Sequence, residues 1–304
     1  MTLRFDGVLF FPVTPFGDDG EVAPAVLREH VAAGVAHGAG GVFAGCGTGE
    51  FHALTLEECV AVTRIAVEAA GGAVPVVTGV GGSVTQAARL AARAADEGAD
   101  AVLLLPPSLV TGPASGLERY VEAVAGASPL PVVVYNRGTA LYPPALMRRL
   151  AADPRIIGFK DGAGDVARVQ EIVAVVREVR DDFAFFNGLL TAEASQAAYR
   201  GIGVPLYSSA AFAMAPEIAT AYYDAYVAED EERRLRVLRE FYLPLVALRD
   251  ETPGFGVSLV KAGLRLQGVP VGAVRPPLVD PDPRQEEQLA QILARGRELA
   301  AELA

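Results

Sequence analysis

The sequence predicts an α/β fold: a (β/α)8 TIM barrel followed by a C-terminal helical appendage. Three observations carry that prediction. Short apolar segments alternate with helical segments eight times between residues 1 and 227. Those segments are apolar throughout rather than alternating with polar residues, as parallel strands covered on both faces require. Residues 228–304 then change character, becoming charged and helical with no ninth strand. Eight strand–helix units fit a barrel, for which about 250 residues is typical. A doubly wound sheet would place Gly-x-Gly-x-x-Gly after its first strand, whereas here that strand runs into Pro15.

The apolar, β-prone run at 5–14 predicts the first strand, and the helical spacing of apolar residues over 21–37 predicts a helix that stops at Gly38. Strand 2 is expected at 41–46, before the glycine-rich turn Gly47-Thr48-Gly49-Glu50. The helix at 55–70 opens with Thr55 and Glu58 three apart, a capping box in which side chain and backbone satisfy each other's free groups. Strand 3 is read at 74–79, an alanine-rich helix at 83–97, and strand 4 at 101–105, closed by Pro106-Pro107. A helix at 114–125 leads to strand 5 at 132–135. The short helix at 143–151 starts with proline, whose missing N–H costs nothing in a first turn. Strands 6, 7 and 8 follow at 156–160, 183–186 and 204–207, with helices at 165–179, 191–200 and 216–226. The tail reads as helices at 230–249, 256–266 and 284–303, joined by a proline-rich crossing at 274–283.

Composition narrows the function. A net charge of -11 argues against a nucleic-acid partner, which needs a basic face for phosphates. A small anionic substrate remains compatible, because a few local donors outweigh a distant negative surface. The two cysteines, Cys46 and Cys59, form no disulfide framework, which fits the reducing cytoplasm. The first residues carry no basic stretch followed by an apolar one, so no secretory signal is expected. No apolar run reaches the roughly 20 residues of a membrane span. His30, His37 and His52 lack metal-ligand spacing, and no metal site is predicted.

The residue that draws most attention is Lys160. The chain has 26 basic residues and only two are lysines, Lys160 and Lys261, so 24 are arginines. Where a plain charge was needed, arginine serves. An amine at the end of strand 6 can lose its proton and form a Schiff base, which a guanidinium cannot. The alternative is a strand-end lysine with its head in water. Other polar residues collect at the same ends of the strands, where a barrel carries its active site. They are Thr48, Tyr135, Asn136, Asn187, Ser208 and Ser209. Gly47 and Thr48 lie in a turn with the composition of an anion nest, or simply in a tight turn that needs glycine. Tyr135 is a candidate acid or base if a nearby cation lowers its pKa. Glu50 suits a structural role, accepting hydrogen bonds from its own loop. His52, close to that loop, is either a shuttle or solvated.

Gly47-Thr48-Gly49-Glu50, Tyr135-Asn136 and Gly158-Phe159-Lys160-Asp161 together resemble the dihydrodipicolinate synthase and N-acetylneuraminate lyase family. The resemblance covers essentially the whole chain. It implies that Lys160 forms a Schiff base with a 2-oxo acid and that Tyr135 shuttles protons. It also implies that Gly47 and Thr48 hold the carboxylate next to the ketone. Within the family, Tyr135-Asn136-Arg137, 204–210, 241–244, 258–263 and 274–278 look like the 5-dehydro-4-deoxyglucarate dehydratases. That branch implies a six-carbon diacid, dehydrated and decarboxylated without a cofactor. Asn187, Thr191, Ser208 and Ser209 are then candidates for the far hydroxyls and second carboxylate, with Arg137 a possible bidentate carboxylate partner. Two departures stand out. Gly47 replaces the first threonine of the synthases' Thr-Thr-Gly-Glu, which disfavours a synthase. Ser108 replaces a tyrosine usual after strand 4, so either a serine and water take over its role or the substrate differs. An aldolase or lyase acting on another 2-oxo acid would share these residues, and a non-catalytic acid-binding barrel would be expected to lack Lys160 or Tyr135. The resemblance further implies a homotetramer, a dimer of dimers. Lys261 is expected on an exposed turn of the tail.

Overall fold

Eight short parallel strands close on themselves in chain order: β1 (Val8–Phe10), β2 (Ala39–Ala44), β3 (Val76–Val80), β4 (Ala101–Leu104), β5 (Val132–Asn136), β6 (Ile156–Asp161), β7 (Ala184–Asn187) and β8 (Leu206–Ser209). β8 pairs back onto β1, with Leu9 opposite Ser208. This computed structural model describes residues 3–303. Eight helices alternate with the strands: α1 (Pro24–Ala36), α2 (Leu56–Ala70), α3 (Val84–Asp96), α4 (Ala114–Ala127), α5 (Pro144–Ala151), α6 (Val166–Arg177), α7 (Gln196–Gly201) and α8 (Pro216–Val227). The capping box of α2 forms as its sequence requires: Thr55 accepts from the Glu58 N–H while Glu58 accepts from the Thr55 N–H.

The pleat sorts every strand into two faces. Leu9, Phe11, Phe43, Val77, Leu103, Val133, Tyr135 and Phe186 pack together inside the barrel. Phe11 stacks on Phe43 with ring centroids 4.6 Å apart, so the interior is a filled core and not a channel. The alternate residues, among them Phe10, Val42, Val134, Phe159 and Phe185, pack outward beneath the helices.

The tail folds as α9 (Glu231–Val237), α10 (Leu243–Arg249), α11 (Phe255–Arg265) and α12 (Pro283–Leu303). A π-turn at Leu238–Tyr242 joins α9 to α10, where Pro244 has no N–H to offer the preceding turn. Three expectations are corrected. The first strand is only Val8–Phe10, because the chain leaves the ladder before Val13. The helix expected at 191–200 splits into a 3-10 turn at Ala192–Ala194 and α7. Lys261 is not on an exposed turn: it is fully buried, its Nζ 2.6 Å from Glu50 Oε1. An ammonium this deep is tolerated because a carboxylate and the Ala273 carbonyl, 2.9 Å away, both meet it.

Candidate active site

Parallel register decides which side chains meet at the mouth of the barrel. β5 and β6 set Tyr135 opposite Lys160, and both project inward. Lys160 is only 4% exposed. Its Nζ lies 4.0 Å from the Tyr135 ring centroid and 5.2 Å from that of Phe11. One acceptor serves both residues: the Gly188 carbonyl takes the Tyr135 hydroxyl at 3.0 Å and Lys160 Nζ at 3.3 Å. Arg137 Nη1 donates to the phenol oxygen at 2.9 Å. Burial alone would push the phenol up, but the charges of Lys160 and Arg137, with their hydrogen bonds, outweigh it and hold Tyr135 below its usual value. Two glycines make room. A Cβ on Gly188 would come 2.3 Å from Lys160 Nζ, and one on Gly162 would come 2.8 Å from the Tyr135 ring.

The residues next in sequence turn the other way. Asp161 is fully buried beneath the helices and is saturated with donors. Asn136 Nδ2 reaches it at 2.6 Å, the Tyr199 hydroxyl at 2.5 Å and the Gly164 N–H at 3.0 Å. The Asn136 Oδ1 in turn accepts the Tyr142 N–H at 2.9 Å. This outer network locks β5 against β6, and so fixes Tyr135 against Lys160.

The turn after β2 is held by the tail. Glu50, in the left-handed region at φ 56°, is fully buried. Its Oε2 accepts the Arg275 N–H at 2.8 Å, and Lys261 meets the other oxygen. The Arg275 side chain reaches Glu58 Oε1 at 2.5 Å and the Ala53 carbonyl at 2.8 Å. Thr14 adds a bond from its hydroxyl to the Gly49 carbonyl at 2.7 Å. Glu50 is structural as expected, but its carboxylate is met by the tail and not by its own loop. The turn is pinned from below, leaving Gly47 exposed and Thr48 half-buried at the mouth.

These groups open into a cavity of about 620 Å³. Of the residues singled out from sequence, Lys160, Tyr135, Thr48, Gly47, Arg137, Thr191 and Ser208 line it, as does His52. Asn187 and Ser209 do not, and their expected contact with substrate is corrected. Both fall on the outward face of their strands. Asn187 Nδ2 bonds Ala192 O, Ser195 Oγ and Gln196 Oε1 at 3.0–3.2 Å. Ser209 Oγ donates to Glu193 Oε1 at 2.5 Å. Period-two alternation could have separated them, since Phe186 and Ser208 point in and their successors must point out. Ser108 is exposed and outside the lining.

Sequence reasoning missed the wall supplied by the tail: Leu245, Arg249, Phe255, Leu259 and Leu278. Leu259 and Leu278 fall in the stretches 258–263 and 274–278 that carry the resemblance, but their place at the mouth was not legible, because only the tertiary fold brings the tail over it. The lining contains three cationic side chains, Arg137, Lys160 and Arg249, and no aspartate or glutamate. In a chain of net charge -11, that local excess is suited to a small acid. Among the described residues no group of three or more His, Cys, Asp or Glu side chains could hold a metal ion, and no helix is long and apolar enough to cross a membrane.

Comparison with known proteins agrees with this architecture. A protein named as a probable 5-dehydro-4-deoxyglucarate dehydratase in Streptomyces griseus is 50% identical over 97% of this chain and 93% of its own. One from Streptomyces coelicolor is 49% identical over 97% and 94%. Dihydrodipicolinate synthase from Oceanobacillus iheyensis superposes with a TM-score of 0.89 at 25% identity, covering 97% of each chain. YagE, a prophage protein of E. coli K12 described in complex with pyruvate, gives 0.86 at 26% identity over 95% of this chain and 98% of its own. The description of the dihydrodipicolinate synthetase family matches residues 4–295, nearly the whole barrel and tail, and the chain belongs to that family.

Proposed function

We propose that this chain dehydrates and decarboxylates 5-dehydro-4-deoxyglucarate to 2,5-dioxopentanoate through a Schiff base on Lys160. The observation that carries the reading is a buried amine set against a phenol, in a cavity whose charged lining residues are all cationic. The names of the relatives at 50% and 49% identity support the substrate, and the pyruvate complex of YagE supports a 2-oxo acid as the kind of molecule bound.

The chemistry follows from the imine. Lys160 condenses with the ketone, releasing water, and the protonated imine withdraws electrons from the neighbouring CH2. Loss of a proton there gives an enamine, which expels the β-hydroxyl as a second water. The conjugated iminium then accepts the electron pair of the distal C–CO2 bond, and CO2 leaves. Protonation and hydrolysis return Lys160 and release the five-carbon product, so one water and one CO2 are lost overall. Tyr135, with its phenol held low by Lys160 and Arg137, moves protons as the imine forms and breaks and at the carbon next to it. The N–H groups of Gly47 and Thr48, with the Thr48 hydroxyl, hold the carboxylate beside the ketone. Thr191 and Ser208, in the lining, would meet the far hydroxyls and second carboxylate, and Arg137 would pair with a carboxylate. We further propose that residues 1–227 act as the catalytic barrel and 228–304 as its helical extension. The working form is a cytoplasmic homotetramer.

Borohydride added with pyruvate tests the central claim. A secondary amine on Lys160 is expected by peptide mapping, and none in Lys160→Arg, which keeps the charge but cannot form the imine. An adduct on Lys261 instead, or no adduct with any 2-oxo acid, overturns the reading.

A further inference from the structure

We infer that Arg249, from the tail helix α10, is the specificity-determining residue that receives the substrate's distal carboxylate. The inference rests on the reading above. Arg249 lines the same cavity as Lys160, and its side chain is only 15% exposed. Its Nη1 donates to the Leu190 carbonyl at 2.9 Å and to Thr191 Oγ1 at 2.8 Å. Its Nε lies 2.8 Å from Asp250 Oδ1, a carboxylate that is 61% exposed and outside the lining. These contacts use Nε–H and both Nη1 protons, and Nη2 meets only Asp250. A guanidinium carries five N–H donors, so one proton on Nη2 is left over. Because Thr191 Oγ1 accepts from Arg249, its own hydroxyl proton is free to donate as well. Thr191 is held for this at φ 51°, a costly conformation for a β-branched residue. The result is a pair of donors, one charged, at the rim of the cavity.

The chain itself sets the spacing. Gly188, whose carbonyl holds Tyr135 and Lys160, is three residues before Thr191. Three residues reach at most about 11 Å, and the chain turns here, so Thr191 lies no farther than that from the Gly188 that holds the imine end. Imine chemistry at one end and a guanidinium at the other suit an acid charged at both ends. Arg137 bonds the phenol beside Lys160, which holds it at the imine end and leaves Arg249 for the far end.

The test compares 2-oxoadipate with 2-oxohexanoate, equal in length and differing in the second carboxylate. Neither has a β-hydroxyl to lose, so borohydride trapping on Lys160 reports binding alone. Wild type should reach half-maximal trapping at a concentration of 2-oxoadipate at least about tenfold lower than of 2-oxohexanoate, as one charge-assisted hydrogen bond predicts. Arg249→Gln should abolish that preference, read as the ratio of the two half-maximal concentrations within the variant itself. A preference that survives in Arg249→Gln overturns the assignment, and so does a wild type that never shows one. Absence of trapping with every acid would instead overturn the Schiff base. Should Arg249→Gln fail to fold, Arg249→Lys is read in its place. One ammonium reproduces only part of the fork, so the preference should fall at least about threefold, and an unchanged preference overturns the assignment.

Discussion

The Gly188 carbonyl is where small changes in single side chains become chemistry. Tyr135→Phe keeps the ring against Lys160 and removes the one hydroxyl that both Gly188 and Arg137 address. Folding should survive, while kcat falls about 100- to 10,000-fold, the usual contribution of an acid–base group. Gly188→Ala should be as damaging by another route, since its Cβ would lie 2.3 Å from Lys160 Nζ. The amine must then leave its place, and the rate of borohydride trapping with pyruvate should drop at least about tenfold; an unchanged rate would refute the crowding. Lys160 and Tyr135 were legible because lysine is so scarce and because both end apolar runs. Asn187 and Ser209 were misread for the opposite reason. Residue type suggested a site, but the pleat turns them into the helical layer, where their donors close the β7 and β8 loops.

Individual elements carry a second titrating group that the reaction does not use. Glu193, in the 3-10 turn after β7, is fully buried. Burial pushes its carboxyl up to about 7, against the opposing hydrogen bond from Ser209. In the unfolded chain the same group titrates near 4.5. Between those values the native state keeps a proton that the unfolded state releases, so stability falls as pH rises and levels off above about 7. Integrated over the window, the loss is up to about 3 kcal/mol. Glu193→Gln carries no proton to lose. Its stability relative to wild type, read by urea unfolding, should rise by up to that amount between about pH 5 and about pH 8. A flat difference would refute it. Element positions were largely legible, since all eight strands lie within or next to the segments that period and composition marked, although the helix expected at 191–200 splits. Their ends were not: β1 stops where hydrogen bonding stops, although apolar character runs on to Val13.

At the scale of the whole molecule, tail and barrel form one device. Tail residues supply a wall of the cavity and hold the turn after β2 through Lys261 and Arg275. Lys261→Met preserves volume but leaves the Glu50 carboxylate buried without its cation. Breaking a buried pair in this way typically costs about 3–5 kcal/mol, and the double variant Lys261→Met/Glu50→Gln should recover much of it. Equal unfolding midpoints for the single variant and wild type would refute the coupling. The tail was readable as helices but not as a lid, because contacts between positions 50 and 261 leave no trace in local periodicity. Assembly belongs to this scale too. Symmetric association is the common arrangement for such enzymes, and light scattering should return a tetramer mass; a monomer at working concentration would exclude it.

The link between Glu50 and Lys261 also orders events in time. A ribosome delivers the chain from its N-terminus at about 5–20 residues per second, and the glycine turn at 47–50 emerges long before position 261. During that interval the Glu50 carboxylate has no counter-charge, and burying it alone would cost several kcal/mol. The eight strands can be complete while the turn after β2 still faces water. Lys261 and Arg275, made more than 200 positions after Glu50, therefore set the turn that begins after the second strand.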